Sequence, residues 1–149
     1  MINKLIFLYL TAVRGMQTFI TPFFDFALRF WVAKIFFMSG LTKIDSWSST
    51  LALFEYEYAV PLLPPHFAAY LGTGAELFFP VLLVIGLFSR FAALSLFIFN
   101  LVAMYSYPDL GIAGIKDHML WGTMLAVTFF HGSGALSLDY WIYRKSNVK

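Results

Sequence analysis

The chain has 149 residues, of which 60% are hydrophobic, 20% aromatic and only 12% charged, with a mean hydropathy of +0.77. Soluble domains average about 25% charged and 45–50% apolar residues, so this composition excludes an ordinary soluble domain and predicts one multi-span membrane domain. The net charge of +2 does not make a nucleic-acid binder, because the cations sit at the edges of apolar runs and form no patch; without cysteine, the chain itself carries no disulfide, thiolate metal site, covalent c-type haem or Cys-x-x-Cys redox chemistry.

In chain order, MINKLIFLYLTAVRGMQTFI holds an apolar run behind Lys4. Arg14 and Gln17 interrupt that run and no small-x-small cleavage site precedes the next element, so residues 1–22 are expected to be an uncleaved amphipathic helix on the inner membrane face. Thr21-Pro22 is expected to start a new helix. The first span runs from Phe23 to about Ile44. In it Asp25 and Arg29 read as an i,i+4 interfacial salt bridge, Lys34 lies deeper, and Gly40 and Lys43 share a face with Arg29 and Phe36. Asp45-Ser46 breaks this helix. Trp47, Leu51, Phe54 and Tyr58 then recur at helical spacing, which predicts a short helix on the outer surface, ended by Pro61, Pro64 and Pro65.

His66–Arg90 is long enough to cross a hydrocarbon layer of about 30 Å. It carries Glu76 roughly 15 Å in, where a carboxylate costs several kcal/mol unless neutral, paired or wet. Pro80, at i+4, removes the hydrogen bond to the Glu76 carbonyl and tends to kink the helix. The third span, from Arg90 to about Tyr107, has Asn100 near its middle. After a loop with Pro108, Asp109, Gly111 and Gly114, the fourth runs from Lys116-Asp117-His118 to about Phe130. The tail 133–149 sets Tyr140, Trp141 and Tyr143 beside Arg144 and Lys145, an interfacial edge. The expected fold is therefore all-α: an integral membrane four-helix bundle, residues 23–132, with the N-terminal and outer interfacial helices attached. Lys4, Arg14, Arg90, Arg144, Lys145 and Lys149 gather on one side against Lys43 and Lys116 on the other, so both termini are expected in the cytoplasm of a bacterial inner membrane.

Counting inward along each span puts Lys34, Glu76 and Asn100 in one buried polar layer. It is either a Lys34–Glu76 pair with Asn100 as interhelical glue, or a group that carries protons or holds the head group of a lipid-soluble substrate. A second cluster toward the outer end comprises Lys43, Tyr56, Glu57, Lys116, Asp117, His118 and Trp121. Imidazole is the one side chain there whose ordinary pKa lies near neutrality, which makes His118 the natural proton donor or acceptor; the plainer alternative is a solvated histidine at a helix start. Met104, Met119 and His118 have the soft donors that copper(I) takes, but methionine is routine filler between helices, and no metal site is assigned. His131 has no visible partner. No phosphate loop, HExxH, Ser/His/Asp pattern or dinucleotide fingerprint is present.

With LRFWVAKIFFMSGLTK in the first span, AELFFPVLLVIGLFSR in the second and KDHMLWG at the fourth, the chain from about Ala27 to Leu138 resembles the DoxX family of small four-helix bacterial inner-membrane proteins. Glu76, Gly86 and Arg90 stand at the family's acid, small and basic positions. FEYEYAVPLLPP and the KDH segment resemble most the DoxX-type members of bufferin-type, copper-associated operons. The resemblance implies association with membrane oxidoreductase modules, including a thiosulfate:quinone oxidoreductase and a complex linking thiol redox to superoxide defence, with quinone as the recurrent small molecule. The leading expectation is a subunit supporting quinone-linked electron or proton transfer, with His118 and Lys43 near the head group, Tyr56, Asp117 and Trp121 around it, and Glu76 deeper; His118, Lys43 and Glu76 are the catalytic candidates. A partner protein would supply the redox centres, since the chain has no covalent cofactor signature. A homo-oligomer is left open, and the alternative function is a non-catalytic membrane anchor or export component for a partner protein or peptide.

Overall fold

The computed structural model describes residues 2–146, and all regular structure among them is helical. Helix α1 (Ile2–Gly15) continues through a π-helical turn (Met16–Ile20) into α2 (Thr21–Asp45). Rather than starting afresh at Thr21-Pro22, the chain shifts register. Pro22 has no N–H and its ring crowds the carbonyl four residues back, and the π turn absorbs this by letting the Thr21 N–H donate to the Met16 carbonyl, five residues earlier. No described residue of α1 belongs to the core.

Helix α3 (Trp47–Tyr56) folds back so that Phe54 packs on Ala68 and Ala69, flanked by Trp47, Leu51 and Tyr58. These alanines open α4 (Pro65–Ile85). A three-residue turn leads to α5 (Ser89–Ser106), and α6 (Ile112–His131) begins directly after Gly111. That start is earlier than Lys116, because Gly111 is the last breaker before the apolar Ile112, Ala113 and Ile115. A tail helix, α7 (Leu138–Lys145), is capped by the Ser137 hydroxyl, which accepts from the Tyr140 N–H at 3.2 Å. Helix α2 packs on α4 and α6, α4 on α5, and α5 on α6, around Val32, Phe36, Leu83, Leu96 and Leu125 with the small Ala33, Ala92 and Ala93 between them. Helices α4 and α5 are long and apolar enough to cross a bilayer. Helix α2 interrupts its apolar run with Arg29, Lys34 and Lys43.

The turn between α4 and α5 is held from both sides. Gly86 ends α4 at φ +71°, where a Cβ would clash with Ser137 and lie 2.9 Å from Arg29 Nη1, so only glycine meets both demands. Arg29 is 1% exposed. Its Nη1 donates to the Leu83 and Val84 carbonyls at 2.7 and 3.2 Å, and its Nη2 to the Leu136 carbonyl at 2.6 Å. The guanidinium thus satisfies carbonyls that the end of α4 leaves without helical partners. On the other side Asp139 caps α5, accepting from the Phe88 and Ser89 N–H groups at 2.8 Å each and from the Ser89 hydroxyl at 2.7 Å. This corrects the expected Asp25–Arg29 salt bridge, which does not occur among the described residues: Arg29 points into the bundle, and Asp25 lies 3.5 Å from His131 Nε2. His131, the last residue of α6, therefore has a partner on α2. Arg90 is exposed at the start of α5.

Candidate functional site

At the end of the bundle away from the termini, the close of α2, α3, the 57–64 loop, the start of α4, the end of α5 and the start of α6 surround a cavity of about 740 Å³. Its walls are largely apolar, with Phe54, Tyr58, Phe99, Tyr107 and Trp121 among them. Phe36 stands edge-on to both Phe99 and Trp121, and Tyr58 edge-on to Phe54 and Tyr107 at 4.9 and 5.4 Å. Exposed Leu71, Phe78 and Val102 border it between α4 and α5, an apolar edge facing outward.

Two polar groups reach into these walls. Lys43 Nζ lies 2.6 Å from Glu76 Oε2 and 2.9 Å from Oε1, and donates to Ser39 Oγ at 2.9 Å; Ser39 in turn donates to Glu76 Oε1 at 3.1 Å. The pair is well buried, with 16% and 6% of the two side chains exposed, and every ammonium proton has an acceptor. Gly40 makes this possible. A Cβ there would lie 3.1 Å from Glu76 Cβ, so α2 approaches α4 closely and Lys43, one turn further along, arches over the acid. The Thr50 hydroxyl donates to the Lys43 carbonyl at 2.9 Å and ties α3 to the same end.

The second group joins α5 and α6. Asn100 Nδ2 donates to the His118 carbonyl at 2.9 Å, so its Oδ1 is the atom that faces His118 Nδ1 at 2.8 Å. An amide oxygen only accepts, so the imidazole must carry its proton on Nδ1. Nε2 is then the exchanging nitrogen: an acceptor in the neutral ring, a donor in the charged one. Gly122 admits this contact, since a Cβ there would stand 3.2 Å from Asn100 Nδ2. Trp121 lies beside the imidazole, ring centroids 4.8 Å apart. Ser106 also lines the cavity, and its buried hydroxyl has no protein partner.

Several expected positions are corrected. Lys34 is exposed and does not meet Glu76. Counting inward from each helix start assumed aligned ends, but Gly40 is the residue level with Glu76, and Lys34 lies six residues earlier, about 9 Å away along the axis. Asn100 joins His118 rather than Glu76, so the supposed inner layer and outer cluster are one site. Tyr56 is 79% exposed; Tyr58, on the same stripe as Trp47, Leu51 and Phe54, takes the wall position instead. Burial pushes the Tyr58 hydroxyl pKa up, helped by Tyr107, Glu76 and Glu57. Asp117 and Lys116 stand on the exposed side of α6, as does Met119. Ser39 was missed, although its i−4 spacing from Lys43 was a usable signal. Pro80 is buried within α4.

The fold and the cavity define a class first: an all-helical membrane protein with a largely apolar pocket at one end. Residues 24–108 match the DoxX family model, and the chain belongs to the DoxX family. It is 37% identical over 119 residues to an uncharacterized protein of Haemophilus influenzae, a match covering 75% of this chain and 78% of that protein. No solved structure matches. The family model ends in the loop after α5, so α6, with His118 and Trp121, lies beyond it.

Proposed function

We propose that this protein is a subunit of a bacterial inner-membrane oxidoreductase module in which the cavity receives the ring of a lipid-soluble quinone as substrate. The observation that supports this most is the contact of His118 Nδ1 with Asn100 Oδ1, which leaves Nε2 as the exchanging nitrogen of a residue that lines a largely apolar cavity with Phe54, Phe99, Tyr107 and Trp121 in its walls. The apolar edge between α4 and α5 suits a ligand that enters from hydrocarbon, and flat aromatic walls suit its ring. Reduction of a quinone to a quinol adds two electrons and two protons. A partner protein with its own redox centre supplies the electrons; His118 takes a proton from water on Nε2 and passes it to a ring oxygen, and the second enters from water at the mouth. Lys43, charge-balanced by Glu76, turns the N–H that Ser39 accepts toward the other oxygen, and leaves no uncompensated cation in the bundle. After giving up its proton, His118 keeps its Nδ1–H on Asn100 and is ready to be reprotonated at the same nitrogen.

Mass spectrometry of lipid extracted from protein purified out of quinone-containing membranes tests this. Wild type is expected to carry quinone and His118→Ala much less. Wild type without quinone, neither binding nor stabilised by added quinone, favours the alternative: a non-catalytic anchor or export component. The observation on that side is α1, whose Leu5, Phe7 and Tyr9 are all more than 60% exposed.

In this reading α2, α4, α5 and α6 cross the membrane and both termini are cytoplasmic. Arg14, Arg90, Arg144 and Lys145 stand at the termini end and Lys43 and Lys116 near the other; Lys149, counted with the first group, lies outside the described residues. A periplasm-dependent reporter is expected to be active within Ser48–Tyr58 and silent at the C-terminus. The reverse pattern overturns the orientation.

A further inference from the structure

A second cavity, of about 380 Å³, lies between α2 and α4 and belongs to neither polar group described above. It is lined by Phe30 and Phe37 from α2 and by Pro80, Val81, Val84 and Ile85 from α4, with Lys34 its one charged residue. Lys34 is exposed, and no hydrogen bond or ion pair holds it among the described residues. A lysine on the wall of an apolar groove at membrane depth extends its stem along the apolar surface until the ammonium meets water or a counter-charge. The groove runs to Ile85, at the end of α4, so the ammonium lies within reach of the head-group zone at the termini end.

We infer that this groove binds an anionic phospholipid, with an acyl chain along Phe30, Val81 and Val84 and the phosphate on Lys34. The charge complementarity has few other solutions. The acids nearest that end are both engaged, Asp25 with His131 and Asp139 with the α5 N-terminus, and Glu76 is held by Lys43. Among the described residues a second copy of the chain therefore has no free carboxylate to offer at this level, whereas a lipid phosphate is always present there. Exposed Arg90, Arg144 and Lys145 at the same end add to the positive field that gathers anionic head groups. The inference rests on α2 and α4 lying in a bilayer and is independent of what fills the larger cavity.

Native mass spectrometry of the full chain in detergent, titrated with phosphatidylglycerol or with phosphatidylcholine, tests it. Wild type is expected to retain one phosphatidylglycerol with roughly fivefold preference, the scale of one basic residue near an anionic surface. Lys34→Arg keeps the preference and Lys34→Gln loses it. Val84→Trp, which fills the groove and leaves the charge, loses the lipid itself. Equal retention of both lipids by wild type, or undiminished preference in Lys34→Gln, overturns the assignment. So does a lipid-free dimer that dissociates on Lys34→Gln, which would give the groove to a second copy.

Discussion

Glu76→Gln and Lys43→Met are each expected to destabilise the protein by about 3–5 kcal/mol, while the double replacement Lys43→Met/Glu76→Leu loses less than either. Each single change strands the other partner in a site where one side chain is 16% and the other 6% exposed. The double change removes both charges and leaves two apolar side chains beside Gly40 and Leu77. Lys34→Met is the control: the ammonium touches neither acid nor carbonyl, so its loss should stay within about 0.5 kcal/mol. Thermal unfolding of the four variants in one detergent reads all of this. Additive losses for Lys43 and Glu76, or a Lys34 effect as large as theirs, contradict the pairing.

Arg29→Met is expected to cost at least about 3 kcal/mol, since three carbonyls lose a charged donor together and hydrogen bonds to charged groups are worth roughly 1.5–3 kcal/mol each. Two of those carbonyls, Leu83 and Val84, belong to the last turn of α4, and the third, Leu136, anchors the tail. The same change should loosen α7 more than the rest, so amide exchange in 138–145 should speed up ahead of global unfolding. Arg29→Lys recovers only part of the loss, because an ammonium cannot reproduce the planar fork that spans both elements. Full rescue by lysine means that charge alone is needed there and the fork geometry is incidental.

The helices and their order were legible because their signals are local: long apolar runs, Asp45-Ser46 after α2, and Pro61, Pro64 and Pro65 before α4; the second span was expected to run through Gly86 to Arg90, whereas α4 ends at Ile85. Which acid meets which base was not. That depends on how far α2 slides along α4, which the close approach at Gly40 sets and a count from helix ends cannot see. Arg29 misled for a related reason. An i,i+4 acid at Asp25 is the obvious local partner, yet the unsatisfied carbonyls that claim the guanidinium lie on α4 and the tail. Asn100 and His118 were each singled out, but their bond needs α5 and α6 to close at Gly122, another non-local contact. Tyr58 could have been preferred to Tyr56 from the stripe through Phe54 alone.

The central claim is that the aromatic cavity beside His118 binds a quinone. The most direct test uses a variant retaining Trp121 as its single tryptophan, with Trp31, Trp47 and Trp141 replaced by phenylalanine, in lipid nanodiscs titrated with a short-chain quinone. Trp121 lines the cavity next to His118, so bound quinone should quench its fluorescence saturably. Adding Gly72→Leu, which puts a side chain into the cavity between Phe54 and Phe99, should abolish the saturable part. Quenching that rises linearly with quinone and is the same with and without Gly72→Leu would mean that the ring stays in the bilayer, and would contradict the claim.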